Sequence, residues 1–145
     1  MPESKYAKYI ITKPRDKDLE DWKKLGDDRK VNVYVDGDVV EGGYYFQGTW
    51  RYKASETPYP DKMHSHDYDE YLGFIGTNPN DPLDLGGEID LYLGDQLHRI
   101  TKTCMVFVPA GVDHCPVYFR RVDYPIWFLA TAPMKTYEKE DTAKK

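Results

Sequence analysis

The sequence predicts an all-β fold in one domain, and three observations predict it. A chain of 145 residues has room for one core, burying roughly 68–70% of the surface its unfolded form exposes. Thirteen tyrosines, five phenylalanines and three tryptophans are large side chains that favour pleated surfaces, while alanine, the best helix former, is sparse. From Val31 onward the apolar residues recur with a period of two, in short runs separated by turn residues.

Taken in order, "KYAKYIITKP" reads as a short N-terminal strand ended by Pro14. "RDKDLEDWKKLGDDRK" reads as a short helix or ordered loop, packed through Leu19, Trp22 and Leu25, whose i, i+3, i+6 spacing makes one helical stripe. "VNVYVDGDVV" alternates Val31, Val33 and Val35 and ends at the turn signal Asp36-Gly37. "GGYYFQGTWRYKA" and "DEYLGFIG" continue as aromatic strands, and "TNPNDPLDLGG" is loop by composition. "EIDLYL" and "QLHRIT" form a hairpin about Gly94-Asp95, and "TCMVFVP", "PVYFRRV" and "PIWFLAT" complete the sheet region. Short strands between turn signals indicate a barrel or sandwich rather than alternating β and α units. The expected organisation is an extension over 1–42 packed on a barrel over 43–133, with a polar tail over 134–145, one domain overall.

Composition excludes some partners. The formal charge of -5 disfavours nucleic acid, whose affinity comes from clustered Lys and Arg. Between Asp61 and Asp95 nine acidic residues stand against the single base Lys62, a formal -8 over that stretch; such a field favours a bound cation. No apolar run approaches the ~20 residues that span a bilayer, and the N-terminus lacks a signal peptide's apolar region, so no membrane partner and a cytoplasmic location are expected. Cys104 and Cys115 are too few for a disulfide framework and read as packing residues.

The chemistry centres on "MHSHDYDEYLGF". Residues two apart on a strand share a face, so His64 and His66 can aim at one point. Glu70 has the same parity, but four residues of straight strand cover about 13 Å, so the chain must turn through Asp67-Tyr68-Asp69 for Glu70 to return beside them. Two histidines remain. His114 lies three residues after the tight turn Pro109-Ala110-Gly111, and His98, on a hairpin, reads as solvent-facing.

His64-x-His66-x3-Glu70 followed by Pro109-x-Gly111-x2-His114 resembles the two motifs of the cupin superfamily, over roughly Gly43 to Thr131. The resemblance implies a single cupin jelly-roll β-barrel that holds one divalent metal ion by His64, His66, Glu70 and His114. Mixed N/O ligation suits Fe(II), Mn(II) or Ni(II) in that order of preference, with Zn(II) or Co(II) as alternatives. Pro58 and Thr103 stand where the family often has glycine, and Tyr118 where it often has asparagine. The long segment Thr77 to Gly87 suggests a feature at the barrel mouth.

By strand parity Leu72 and Phe74 share the face of Glu70, and Tyr118 shares that of His114. Tyr118 is therefore the candidate catalytic residue, and Trp50, Tyr52, Phe74, Trp127 and Phe128 are candidate substrate-binding residues. Cys115 is set aside as a partner of His114, because neighbours on a strand face opposite ways. The expected function is a metal-dependent enzyme on a small organic molecule: an oxygenase, hence an oxidoreductase, with an isomerase or lyase next. The alternative is a non-catalytic module that binds or senses a small ligand around a structural metal. A homodimer is expected, since such barrels often pair and an apolar first strand needs a sheet edge to cover it.

Overall fold

A computed structural model describes residues 4–136, and the eight strands among them form two antiparallel sheets. The strands are β1 (Arg29–Val35), β2 (Tyr45–Arg51), β3 (Glu70–Ile75), β4 (Asp84–Leu93), β5 (Gln96–Lys102), β6 (Cys104–Val108), β7 (His114–Val122) and β8 (Ile126–Ala132). One sheet has the order β1-β2-β8-β3-β6, the other β5-β4-β7. The expected all-β jelly roll is thus present as two facing sheets rather than an evenly closed barrel.

Alternation decides what lies between the sheets. Ile89 and Leu91 of β4 sit opposite Phe119 and Val117 of β7, and all four are fully buried. From the other sheet Leu72, Phe74 and Phe128 join the same core, with the rings of Phe74 and Phe128 stacked 5.0 Å apart. Each such side chain contributes about 1.5–3 kcal/mol by leaving water. The β4–β5 hairpin turns at Gly94, whose φ of 59° is the left-handed conformation that glycine adopts without a steric penalty.

Several expectations need correction. The segment Lys5 to Pro14 is not a strand: Ala7–Tyr9 form a 3-10 turn, in which the amides of Tyr9 and Ile10 donate to the carbonyls of Tyr6 and Ala7. The reason is spacing. Tyr6 and Tyr9 lie three apart, the repeat of a 3-10 turn, and their rings stack at 6.4 Å while Tyr6, Tyr9 and Ile10 stay exposed. The helix is real but short, α1 (Asp16–Trp22). It is anchored by Asp18, which accepts from Arg15 at 2.8 Å, and by Trp22 against Tyr34, while Leu19 remains 38% exposed.

The strand β1, expected in the extension, is hydrogen-bonded to β2 as an edge of the larger sheet. β4 begins at Asp84, so the expected loop is shorter. It follows Ile75, at the end of β3 remote from Glu70, and Thr77 ties it to the Pro125 carbonyl. Most of the expected polar tail lies outside the described residues. Among the described residues no helix is long and apolar enough to cross a membrane.

Candidate metal centre

The backbone brings the two sequence motifs together. His64 and His114 form an antiparallel bridge, each amide donating to the other's carbonyl at 3.0 and 2.9 Å. The Gly111 amide donates to the His66 carbonyl at 2.7 Å. Gly111, with φ of 83°, supplies the turn that lets the chain come back over His66. Between the histidines and β3 the chain bends at Asp67 and Tyr68, and the Asp69 carboxylate accepts from the Ala110 amide at 2.9 Å. Glu70 then opens β3, opposite Val108.

Four side chains converge as a result. The His64 ring lies 5.0 Å from that of His66 and 4.3 Å from that of His114, and His66 and His114 are 5.1 Å apart. Tyr68 stacks on the outer side of His66 at 4.7 Å, which fixes the plane of the imidazole. Glu70 Oε1 lies 3.2 Å from His114 Nε2 and 3.6 Å from His66 Nε2. None of the four residues is more than 5% exposed.

The hydrogen bonds of the rings settle which nitrogen faces inward. His64 Nδ1 lies 2.7 Å from the Lys62 carbonyl and His114 Nδ1 2.9 Å from that of Val112. A carbonyl only accepts, so Nδ1 is the N–H in both rings, and in a neutral ring Nε2 is then a lone-pair acceptor. His114 therefore turns an acceptor toward the Glu70 carboxylate, which also only accepts. Their 3.2 Å contact lacks the angles of a hydrogen bond, and Glu70 Oε2 and His114 Nε2 have no hydrogen-bond partner among the described residues. Burial, the largest influence on Glu70, pushes its pKa up, while the two imidazoles beside it, His114 and His66, pull it the other way, to below its ordinary value. Buried acceptors facing one another are stable only with a proton or a cation between them. The donor set, imidazole nitrogens with one carboxylate, fits a divalent transition metal.

A cavity of about 150 Å³ opens beside this cluster, reached through His64, Glu70 and Cys115. Its other walls are Tyr45, Gln47 and Thr49 of β2, Leu72, Phe128 and Ala130, with Tyr59, Pro60 and Asp61 at one side. Of the expected binding residues, Phe128 lines this cavity and Phe74 lies behind it in the core. Trp50, Tyr52 and Trp127 do not. They form an aromatic row on the outer face of the larger sheet, Trp50 stacked on Tyr52 and tilted against Trp127, whose Nε1 donates to Asn32.

Tyr118 is also on an outer face. Its ring packs under the Arg120 guanidinium at 4.1 Å and it pairs with Asp90, while its neighbours Val117 and Phe119 point into the core. Parity from His114 fails here because Cys115 adopts a left-handed φ of 74° and the β4–β7 register shifts between Leu91 and Leu93. The same irregularity puts Cys115 beside His114, where regular alternation would have placed it on the opposite face. Strand parity wrongly set Cys115 aside, and the polar row Tyr45, Gln47 and Thr49 was missed. The row was visible as the alternate set to Phe46 and Trp50, but a polar lining only makes sense once the interior is known to hold a cavity.

No protein-family model matches the sequence, and no curated protein matches it. Solved structures do match. A polyketide cyclase from Streptomyces resistomycificus is similar at a TM-score of 0.52 and 14% identity, over 80% of this chain and 72% of the cyclase. An oxalate oxidase gives 0.53 at 11% identity, over 82% and 57% of the two chains. The oxalate decarboxylase of Bacillus subtilis, a protein with Mn(II) centres, gives 0.55 at 12%, over 82% of this chain but only 29% of its own. The chain therefore spans under a third of that decarboxylase. All three are enzymes, and at such identities the likeness is one of fold. The two facing antiparallel sheets are what the chain shares with these proteins, a cupin-type jelly-roll fold.

Proposed function

We propose that the chain is a metal-dependent enzyme acting on a small organic molecule, as an oxygenase first and an isomerase or lyase second. The observation that carries this reading is the buried pair of acceptors, Glu70 and His114 Nε2, beside a cavity lined on one side by polar groups. His64, His66, Glu70 and His114 are the residues that would hold the ion, with Fe(II), Mn(II) or Ni(II) preferred. Such an ion supplies a Lewis acid for a substrate oxygen or, as Fe(II), oxygen chemistry.

The chain's own residues set what can bind. A cavity of about 150 Å³ is small beside the ~300–1,000 Å³ of drug-sized sites, so it suits a compact substrate. Leu72, Phe128 and Ala130 exclude water from one wall. On the other, the Tyr45 hydroxyl donates to Gln47 Oε1 at 3.3 Å, which leaves the Gln47 amide N–H groups to donate to a ligand oxygen. The lining includes two carboxylates, Asp61 and Glu70, and neither Lys nor Arg. Oxalate, the dianion named for two structural neighbours, therefore finds no cationic side chain here, and a neutral hydroxy or carbonyl compound is the better match.

The test is oxygen uptake by the chain loaded with Fe(II), against a panel of small neutral hydroxy and carbonyl compounds with oxalate as the control. Uptake or product formation with a neutral compound, abolished by Glu70→Ala, is the expected result. Saturable binding of a panel member without turnover under any of the three metals would instead support the sensing module.

A further inference from the structure

We infer that Cys115 is an additional metal ligand, contributing a thiolate on the cavity side of the centre. The inference rests on the metal-binding reading above and extends its ligand set. One ligand atom each of His64, His114 and Cys115 lies within 4.8 Å of the others, a second triad that shares His114 with His66 and Glu70. Cys115 is 1% exposed and His114 fully buried, and His114 Nε2 has no hydrogen-bond partner among the described residues.

The usual reading of a buried cysteine is a small apolar packing residue. Two features here argue for more. Cys115 is the one described non-glycine residue with a positive φ, at 74°, a conformation that strains a residue with a Cβ and collects at functional sites. That conformation puts the thiol next to two imidazoles and into the wall of the cavity, although strand alternation would have hidden it from His114. Metal–sulfur and metal–nitrogen bonds of about 2.3 and 2.0 Å place such donors around one ion with only small side-chain adjustments. Binding replaces the thiol proton, which leaves to solvent. A soft sulfur donor shifts preference toward Co(II), Ni(II), Fe(II) or Zn(II) and away from Mn(II).

Cobalt makes this visible, because thiolate-to-Co(II) charge transfer gives an intense near-ultraviolet band that nitrogen and oxygen ligands do not. The chain has two cysteines, so Co(II) is titrated into the whole protein, Cys104→Ser and Cys115→Ser. The band is expected in the wild type and in Cys104→Ser, whose sole thiol is Cys115, and that assignment holds even if Cys115→Ser fails to fold. A folded Cys115→Ser is expected to bind Co(II) with weak visible bands only. Stoichiometric Co(II) binding by the wild type without the charge-transfer band overturns the ligand role of Cys115 and leaves the metal centre standing. Loss of the band in Cys104→Ser, or its persistence in Cys115→Ser, also overturns it, and absence of any Co(II) binding removes both readings.

Discussion

Glu70 and His114 meet inside the molecule as two acceptors 3.2 Å apart, and backbone carbonyls produce that situation by holding Nδ1 of His64 and His114 as the donor. His64, His66 and Glu70 were legible from spacing, because H-x-H needs only strand parity and Glu70 only a bend after it, while His114 joined them through the resemblance of its motif to the cupin pattern. The surroundings were not legible, since one left-handed residue, Cys115, reverses every assignment downstream of it on β7. Tyr118 illustrates the consequence. With its ring under Arg120 on the outer face, Tyr118→Phe is expected to leave metal content and any turnover unchanged, as read by metal analysis and steady-state rates. A fall of roughly 10-fold or more in either, the scale of lost outer-shell partners, would return Tyr118 to the site.

Among the elements, β2 carries the main reversal. Trp50 was expected in a cavity wall, yet it packs outward with Phe46 and Trp127, and Tyr45, Gln47 and Thr49 face inward. Gly48 makes this possible: a Cβ there would lie 2.5 Å from the Trp127 indole. Gly48→Ala should therefore displace Trp127, cost about 1–3 kcal/mol as overpacking does, and shift tryptophan emission; an unchanged urea midpoint would contradict this packing.

In the smaller sheet Asp90 accepts from Arg99 of β5 and Arg120 of β7. The Arg99 hydrogen bond, with Arg120 adding to it against the cost of burial, holds the carboxyl below its ordinary value. A depressed folded pKa means stability that is present above the unfolded value of about 4 and is lost as pH falls through the lower folded value. Asp90→Asn should cost about 1–2 kcal/mol at pH 7, moderated because both arginines are partly exposed. Its difference from the wild type in urea melts should shrink below about pH 4; a difference independent of pH would contradict the ion-pair account.

Across the whole molecule, alternation and turn residues were enough to read an all-β barrel or sandwich, because most strands follow a period of two and each sheet must bury one face; the resemblance of the two motifs narrowed it to a jelly roll. The N-terminal segment escaped because its tyrosines repeat every three residues. With that segment a 3-10 turn, the expected dimer rests on other ground, the outer face of the larger sheet, where Tyr71, Met105 and Phe107 are each about half exposed. Sedimentation at micromolar concentration should show a species of twice 16.9 kDa, weakened by Met105→Glu; a monomer would contradict the pairing.

The metal centre itself is open to metal analysis of protein purified without added metal, wild type beside His66→Ala. About one divalent ion per chain is expected in the wild type, with most of it lost in the variant, since one of its ligands is gone. Equal occupancy in the two proteins, or a folded wild type that takes up no divalent metal when it is offered, would contradict it.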